Sequence, residues 1–422
     1  VDGNMIISGI TTLGTTSFTA DATINNVTVG EGAGSIASNT VVGNAAFDAN
    51  TTGAQNVSIG RNTLTENTTG NNNTAVGDGA LAGNTTASKN TAIGKNALYA
   101  NTTGTQNTAV GQEALAASTT ADDNVAVGRY ALNANTTGNQ QVAVGSGALQ
   151  KNTTGTFNTA VGYEALDENT TGSRNTAIGL VALRQNTTGD HNTAVGNVAL
   201  DANTTADNNT AVGSEALGAN TTGQYNTAVG AFALDANTTA SANTAVGNGA
   251  LGANTTGASN VAVGSNCLLS NTTANNNTAI GHAALSANTT AVDNTAVGKD
   301  ALLTTTTGHE NTAVGKSALK LTTTGRSNVA MGRETMQDNT TGDYNTALGY
   351  EALKANTTAD ENVAVGRNTL QTNTTGTANT AVGAFSLDAN TTADNNTAVG
   401  YGAMGANTTG NSNVAVGNNA LD

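Results

Sequence analysis

Asn73-Thr74-Ala75-Val76-Gly77-Asp78-Gly79-Ala80-Leu81-Ala82-Gly83-Asn84-Thr85-Thr86-Ala87-Ser88-Lys89 is followed at once by Asn90-Thr91-Ala92-Ile93-Gly94, the same phrase again. Indexed on its glycine, the phrase stands at Gly43, Gly60, Gly77, Gly94, Gly111 and onward to Gly400 and Gly417, always 17 residues apart. That gives 23 copies of N-T-A-V-G-x-x-A-L-x-A-N-T-T-G-x-x without an insertion or deletion. Loops of globular domains tolerate insertions. A chain that gains none holds every residue in register with the copies above and below it. This spacing predicts a solenoid, in which each repeat is one coil stacked on the last.

Composition narrows the class. The 422 residues include no Pro and no Trp, only 3% aromatic and 10% charged residues, and 51 Gly. So few large side chains cannot fill several thick cores. Disorder calls for more charge and less regular apolar content than the 37% hydrophobic residues found here. Collagen needs glycine at every third residue together with proline. The net charge of −15 disfavours a phosphate backbone as partner, so no nucleic acid is expected. Apolar runs are too short for a membrane span, and no membrane insertion is expected. The chain opens on Val1 without a basic-plus-apolar leader, as expected of a processed chain or a segment of a longer one.

Comparison of the copies shows what each position requires. The glycine of A-V-G never varies, which predicts φ > 0 or no room for a Cβ. Three residues before it stands Thr or Val; one before it, Val, Ile, Leu or Met. These two share one face of a short strand. The intervening residue is Ala in 21 of 23 copies, Val41 and Ser58 excepted. A solvent-facing position would drift among polar residues. The constant Ala is therefore expected to pack closely, and as a second apolar face it points to other chains and a parallel homotrimer. Four residues after the glycine comes Leu, preceded by a small residue. Cys267 takes that small position and reads as a buried hydrophobe. The A-L-x-A segment is expected to be a second extended stretch or a single 3₁₀-like turn. Strands stack about 4.8 Å apart, whereas a helix is about 10 Å across.

The expected fold class is all-β: a parallel β-solenoid, or β-roll, of 17-residue coils, as an intertwined or side-by-side homotrimer. Residues 1–26 form a strand-rich lead-in, with Ile6-Ile7-Ser8 and Thr15-Thr16-Ser17-Phe18-Thr19 strand-like. Residues 27–422 form the solenoid, with a short 13-residue first coil from Gly30 to Gly43 before the 23 coils of 17.

The Asn-Thr-Thr triplet matches an N-glycosylation sequon, as at Asn50, Asn67, Asn84 and Asn101. The competing reading is a structural turn with stacked amides. Ser118, Thr305 and Thr322 replace the Asn while the two threonines persist, which favours the turn. His191, His282 and His309 have no metal-ligand spacing, and no Ser/His/Asp arrangement stands out. No enzyme site, cofactor or metal is expected. Tyr163, Tyr350, Tyr401, Phe232 and Phe385 stand singly in scattered coils, without the clustering of a binding hot spot. Recognition of a host surface is accordingly expected on a tip outside the repeats.

Asn73-Thr74-Ala75-Val76-Gly77 and Asn124-Val125-Ala126-Val127-Gly128 resemble the head repeats of trimeric autotransporter adhesins. That resemblance implies a trimeric, left-handed parallel β-roll. The longer A-L-x-A-N-T-T-G unit and the lead-in Val29-Gly30-Glu31-Gly32-Ala33-Gly34 are more similar to bacteriophage tail fibres, which often end in a self-cleaving chaperone. The resemblance covers residues 27–422. The unit departs from adhesin heads in its length of 17 residues, and neither a membrane-anchor barrel nor a chaperone is present. The expectation is a structural fibre or spacer of an extracellular adhesion device. It would belong to a virion tail fibre, with itself and fibre components as partners, or to a bacterial surface adhesin or filament. An ice-binding solenoid is a further alternative, weakened because adjacent threonines point to opposite faces.

Overall fold

The computed structural model describes residues 21–422. The strand-like segments expected at Ile6–Ser8 and Thr15–Thr19 lie outside the described residues. The chain divides into two compact units, Val1–Ala143 and Val144–Asp422. Together they form a parallel β-solenoid of about 22 turns, with no helix among the described residues.

The first unit begins with β1 (Ala22–Ile24) and β2 (Val27–Gly30), an antiparallel hairpin. β2 also runs antiparallel to β3 (Thr40–Gly43), pairing Val29 with Val42. The 13-residue step from Gly30 to Gly43 is therefore a chain reversal and not a short coil. The parallel stack begins at β3. The Asp21 carboxylate secures the reversal, accepting the N–H of Glu31 at 2.6 Å and of Gly32 at 2.8 Å. β3 pairs in parallel with β4 (Val57–Ile59), and equivalent three-residue strands follow every 17 residues to Val125–Val127. In the second unit the same ladder runs from Thr159–Val161 to Val414–Val416, for example Ala211 against Ala228.

One coil of the second unit, residues 209–225, shows how the sequence closes each turn. Thr210 N–H donates forward to Asn226 O, while Gly213 N–H donates back to Val195 O, both at 2.8 Å. Ala211, between them, is fully buried, as are Ala216 and Leu217. Thr210 and Val212 are only partly covered. The constant Ala thus faces the interior of its own coil, and the β-branched pair faces out. This reverses the expected assignment of the Ala face to neighbouring chains. The position is small because the coil is thin: the strand lies close over the Ala-Leu segment, and a longer side chain has no volume to enter. Where Ser58 replaces Ala, its hydroxyl lies 2.6 Å from that of Thr63, which replaces the small residue before Leu64. The two polar substitutions satisfy each other inside the core.

The A-L-x-A segment is neither extended nor 3₁₀. It is a run of turns in which left-handed residues alternate with right-handed ones: Glu215 has φ +56° and Leu217 φ +54°. A left-handed leucine costs about 1–2 kcal/mol, and the stack compensates. Glu215 N–H donates back to Asn197 O and Leu217 N–H forward to Ala233 O, each at 2.9 Å. Alternating the handedness turns successive N–H groups toward opposite neighbours, so a segment too tight for strand geometry still joins both adjacent coils.

Candidate functional site

Two columns of asparagine run through the interior. The Asn that opens each strand receives the N–H of its successor: Asn226 N–H donates to Asn209 Oδ1 at 3.0 Å, and Asn209 Nδ2 donates to Gly223 O at 2.8 Å. The Asn of the Asn-Thr-Thr triplet forms the second column. Asn220 Nδ2 donates to Asn203 Oδ1 at 3.2 Å and to Gly223 O at 3.0 Å. Both amides grip the carbonyl after the triplet, so the corner is fixed by side chains where the backbone ladder is interrupted.

In the first unit the sequon candidates occupy this second column. Asn67 donates to Asn50, Asn84 to Asn67 and Asn101 to Asn84, at 3.3, 2.7 and 2.9 Å. Asn67, Asn84 and Asn101 are fully buried and Asn50 nearly so. The nitrogen a glycan would occupy is the one that builds the ladder. Of the two threonines, the first donates its hydroxyl to the next coil, as Thr221 Oγ1 does to Thr238 O at 3.0 Å. The second is exposed.

Cys267 is fully buried, and its thiol donates to Gly281 O. Thr335 and Thr369 make the same bond from the same position, to Gly349 O and Gly383 O. Burial pushes the thiol above its ordinary range. Cys267 is therefore expected to resist a thiol-specific chromogenic reagent at pH 8 in the folded protein, and to react at once in denaturant. Rapid modification of the native chain would contradict this packing.

Variable side chains stack into columns along the outside, with residues i and i+17 as neighbours. Arg61 pairs with Asp78 at 2.8 Å, Arg184 with Asp201 at 3.1 Å and Arg326 with Asp343 at 3.1 Å. Such exposed pairs contribute little stability. Glu334, bonded by Lys354 and Arg333, is held down to about 2. Asp167 is pushed up to about 6, chiefly by burial. Stacking also gathers the aromatics. Arg333 lies 5.7 Å from the Tyr350 ring and Arg367 lies 5.2 Å from the Phe385 ring. Phe385 meets Tyr401 edge-on at 5.8 Å. The expectation of scattered single aromatics fails here: five consecutive coils carry one Arg–aromatic strip.

The outward strand residues make the other surface. In the second unit Ile178, Val263, Ile280, Met331, Leu348, Val382 and Val399 are all more than a third exposed and stand in one column. The parallel column is Thr or Val throughout.

Among the described residues no group of three His, Cys, Asp or Glu side chains is placed to hold a metal ion. No helix is long and apolar enough to cross a membrane. No protein-family model and no curated protein matches the chain.

Proposed function

We propose that the protein is a structural fibre segment, a stiff spacer in an extracellular adhesion device, foremost a phage tail fibre. The observation that carries this reading is the unbroken coil-to-coil register. Backbone and asparagine ladders join each coil to its neighbours at the same positions, an arrangement that resists bending and offers the same surface repeatedly. A bacterial surface adhesin or filament uses the same physics, and the sequon-like corners would distinguish it only if glycans were found there.

The reading includes self-association, now through the outward strand face. Three-residue strands about 4.8 Å apart, at about 3.3 Å per residue, present roughly 50 Å² each. The second unit alone then offers on the order of 750 Å², close to the roughly 800 Å² per partner of a stable interface. Its side chains are β-branched or apolar, and a stripe this long is rarely left open on a monomer. A homotrimer would cover it. Sedimentation velocity is expected to give three times the chain mass for the parent and a folded monomer for Val212→Arg with Val229→Arg. A parent chain that is a stable monomer at micromolar concentration would sink the trimer.

The same face supports a second reading. Thr210, Thr227 and Thr244 stand in an outward row on a flat sheet, so the objection drawn from adjacent threonines does not apply to them. A regular row of this kind suits an ordered-water surface. Thermal hysteresis in the parent, lost on covering this face, would favour ice binding over assembly.

A further inference from the structure

Two clefts in the second unit are built from the same residues. In one, Phe232 and Asp235 stand beside Gly249 and Gly252 of the next coil, with Leu269 of the coil after, around about 450 Å³. In the other, Phe385 and Asp388 stand beside Gly402 and Gly405, with Tyr401 and Asp422, around about 370 Å³. The second lies 153 residues, nine coils, beyond the first. Each arises where Phe-x-x-Asp in one coil is followed by Gly-x-x-Gly in the next, so that glycines open a floor between the ring and the carboxylate. A Cβ on Gly252 would come within 3.4 Å of Asp235 Oδ1, and one on Gly405 within 3.4 Å of Asp388 Oδ1. The missing side chains are therefore what makes the room.

We propose that these clefts are two equivalent saccharide subsites, each taking one neutral pyranose unit of a surface polysaccharide. The phenyl ring offers an apolar platform for the C–H face of a sugar. The aspartate, acceptor-only when ionised, receives ring hydroxyls. Volumes of this size suit a small organic ligand and exceed what a simple ion fills. Both carboxylates have a second acid nearby, Glu215 beside Asp235 and Asp422 beside Asp388, which disfavours acidic sugars. Burial raises both aspartates, in keeping with groups set back from bulk water. The proposal refines the adhesion reading: the repeats themselves carry two weak contacts, and recognition is not confined to a tip. It does not depend on the oligomeric state, because the clefts lie on the turn segment and not on the strand face.

The test is calorimetric titration of the full chain with laminarin, mannan and dextran, and with chitosan and alginate as cationic and anionic controls. Gly252→Gln and Gly405→Gln plug the clefts without disturbing the fold, since the same coil position already holds Gln150, Lys320, Lys354 and Gln371. Expected are two saccharide units bound per parent chain, one for either single variant, and at least about a tenfold affinity loss, 1.4 kcal/mol, for the double variant. Binding should persist at about 1 M salt, where exposed ionic attraction is screened. Four results would overturn the assignment: no neutral polysaccharide bound by the parent, binding undiminished in the double plug, binding abolished by salt, or binding of chitosan or alginate alone. Sedimentation of the same samples reports assembly separately, so failure here and failure of the spacer reading are told apart.

Discussion

Gly213→Ala is expected to break the stack at its own coil, with a loss of at least about 4 kcal/mol. Gly213 has φ +139°, and a Cβ there would lie 2.5 Å from Gly230 O and 2.6 Å from Gly230 C. The obstacle is backbone of the next coil, which is itself held by Gly230 N–H donating to Val212 O at 2.8 Å. Nothing flexible can yield. Relief requires separating two coils, which forfeits ladder bonds on both sides of the sheet. Hydrogen exchange should show protection lost over the coils flanking residue 213 while distant coils stay protected, as nearest-neighbour coupling dictates. Uniform protection and an unchanged unfolding midpoint would refute it. Ala219→Gly serves as the control, because it removes a Cβ from a partly exposed turn position.

The second large effect concerns the asparagine column of the triplets. At Thr305 and Thr322 the column is interrupted, and the buried atoms Asn288 Oδ1, Thr305 Oγ1 and Thr322 Oγ1 have no hydrogen-bond partner. In the first unit Ser118 Oγ and Asn101 Oδ1 are orphaned in the same way. A buried unsatisfied polar group costs about 1–3 kcal/mol. Thr305→Asn with Thr322→Asn should rejoin the column and stabilise the second unit by roughly 2–4 kcal/mol. Asn220→Ser should keep the fold but lose roughly 2–3 kcal/mol. It removes both bonds from Asn220 Nδ2 and takes the acceptor from Asn237 Nδ2. Denaturant midpoints of the two variants moving in opposite directions would verify the ladder. A repaired variant less stable than the parent would refute it.

The 17-residue step and its parallel stacking were legible because register leaves a direct trace in spacing. Cys267 in the interior was legible for the same reason, since it stands where Ala and Thr stand in other coils. The facing of the strand was not. Ala211 and Val212 are both apolar, and a three-residue strand gives no outside polar residue to mark its solvent side. Thinness of the coil, which forces Ala inward, is a property of the closed turn and not of any one residue. The left-handed Leu217 was hidden because leucine rarely adopts that conformation; only bonding to both neighbouring coils holds it there. The Phe232 and Phe385 clefts were written in the sequence, but only across rows. Phe232 and Gly249 are distant along the chain and adjacent once the coils are stacked.

Coils that present matching upper and lower surfaces have a genetic consequence. A DNA segment encoding one coil is nearly the same as the next, so unequal recombination adds or removes whole coils and preserves the reading frame. The product folds as before, because each new coil finds the same asparagine, glycine and strand partners as the one it displaced. Array length is thereby a trait that selection can adjust in single steps without designing a new fold. The near-constant residues limit drift within a coil, while the two cleft-bearing coils could be copied or lost as units, changing valency without changing architecture.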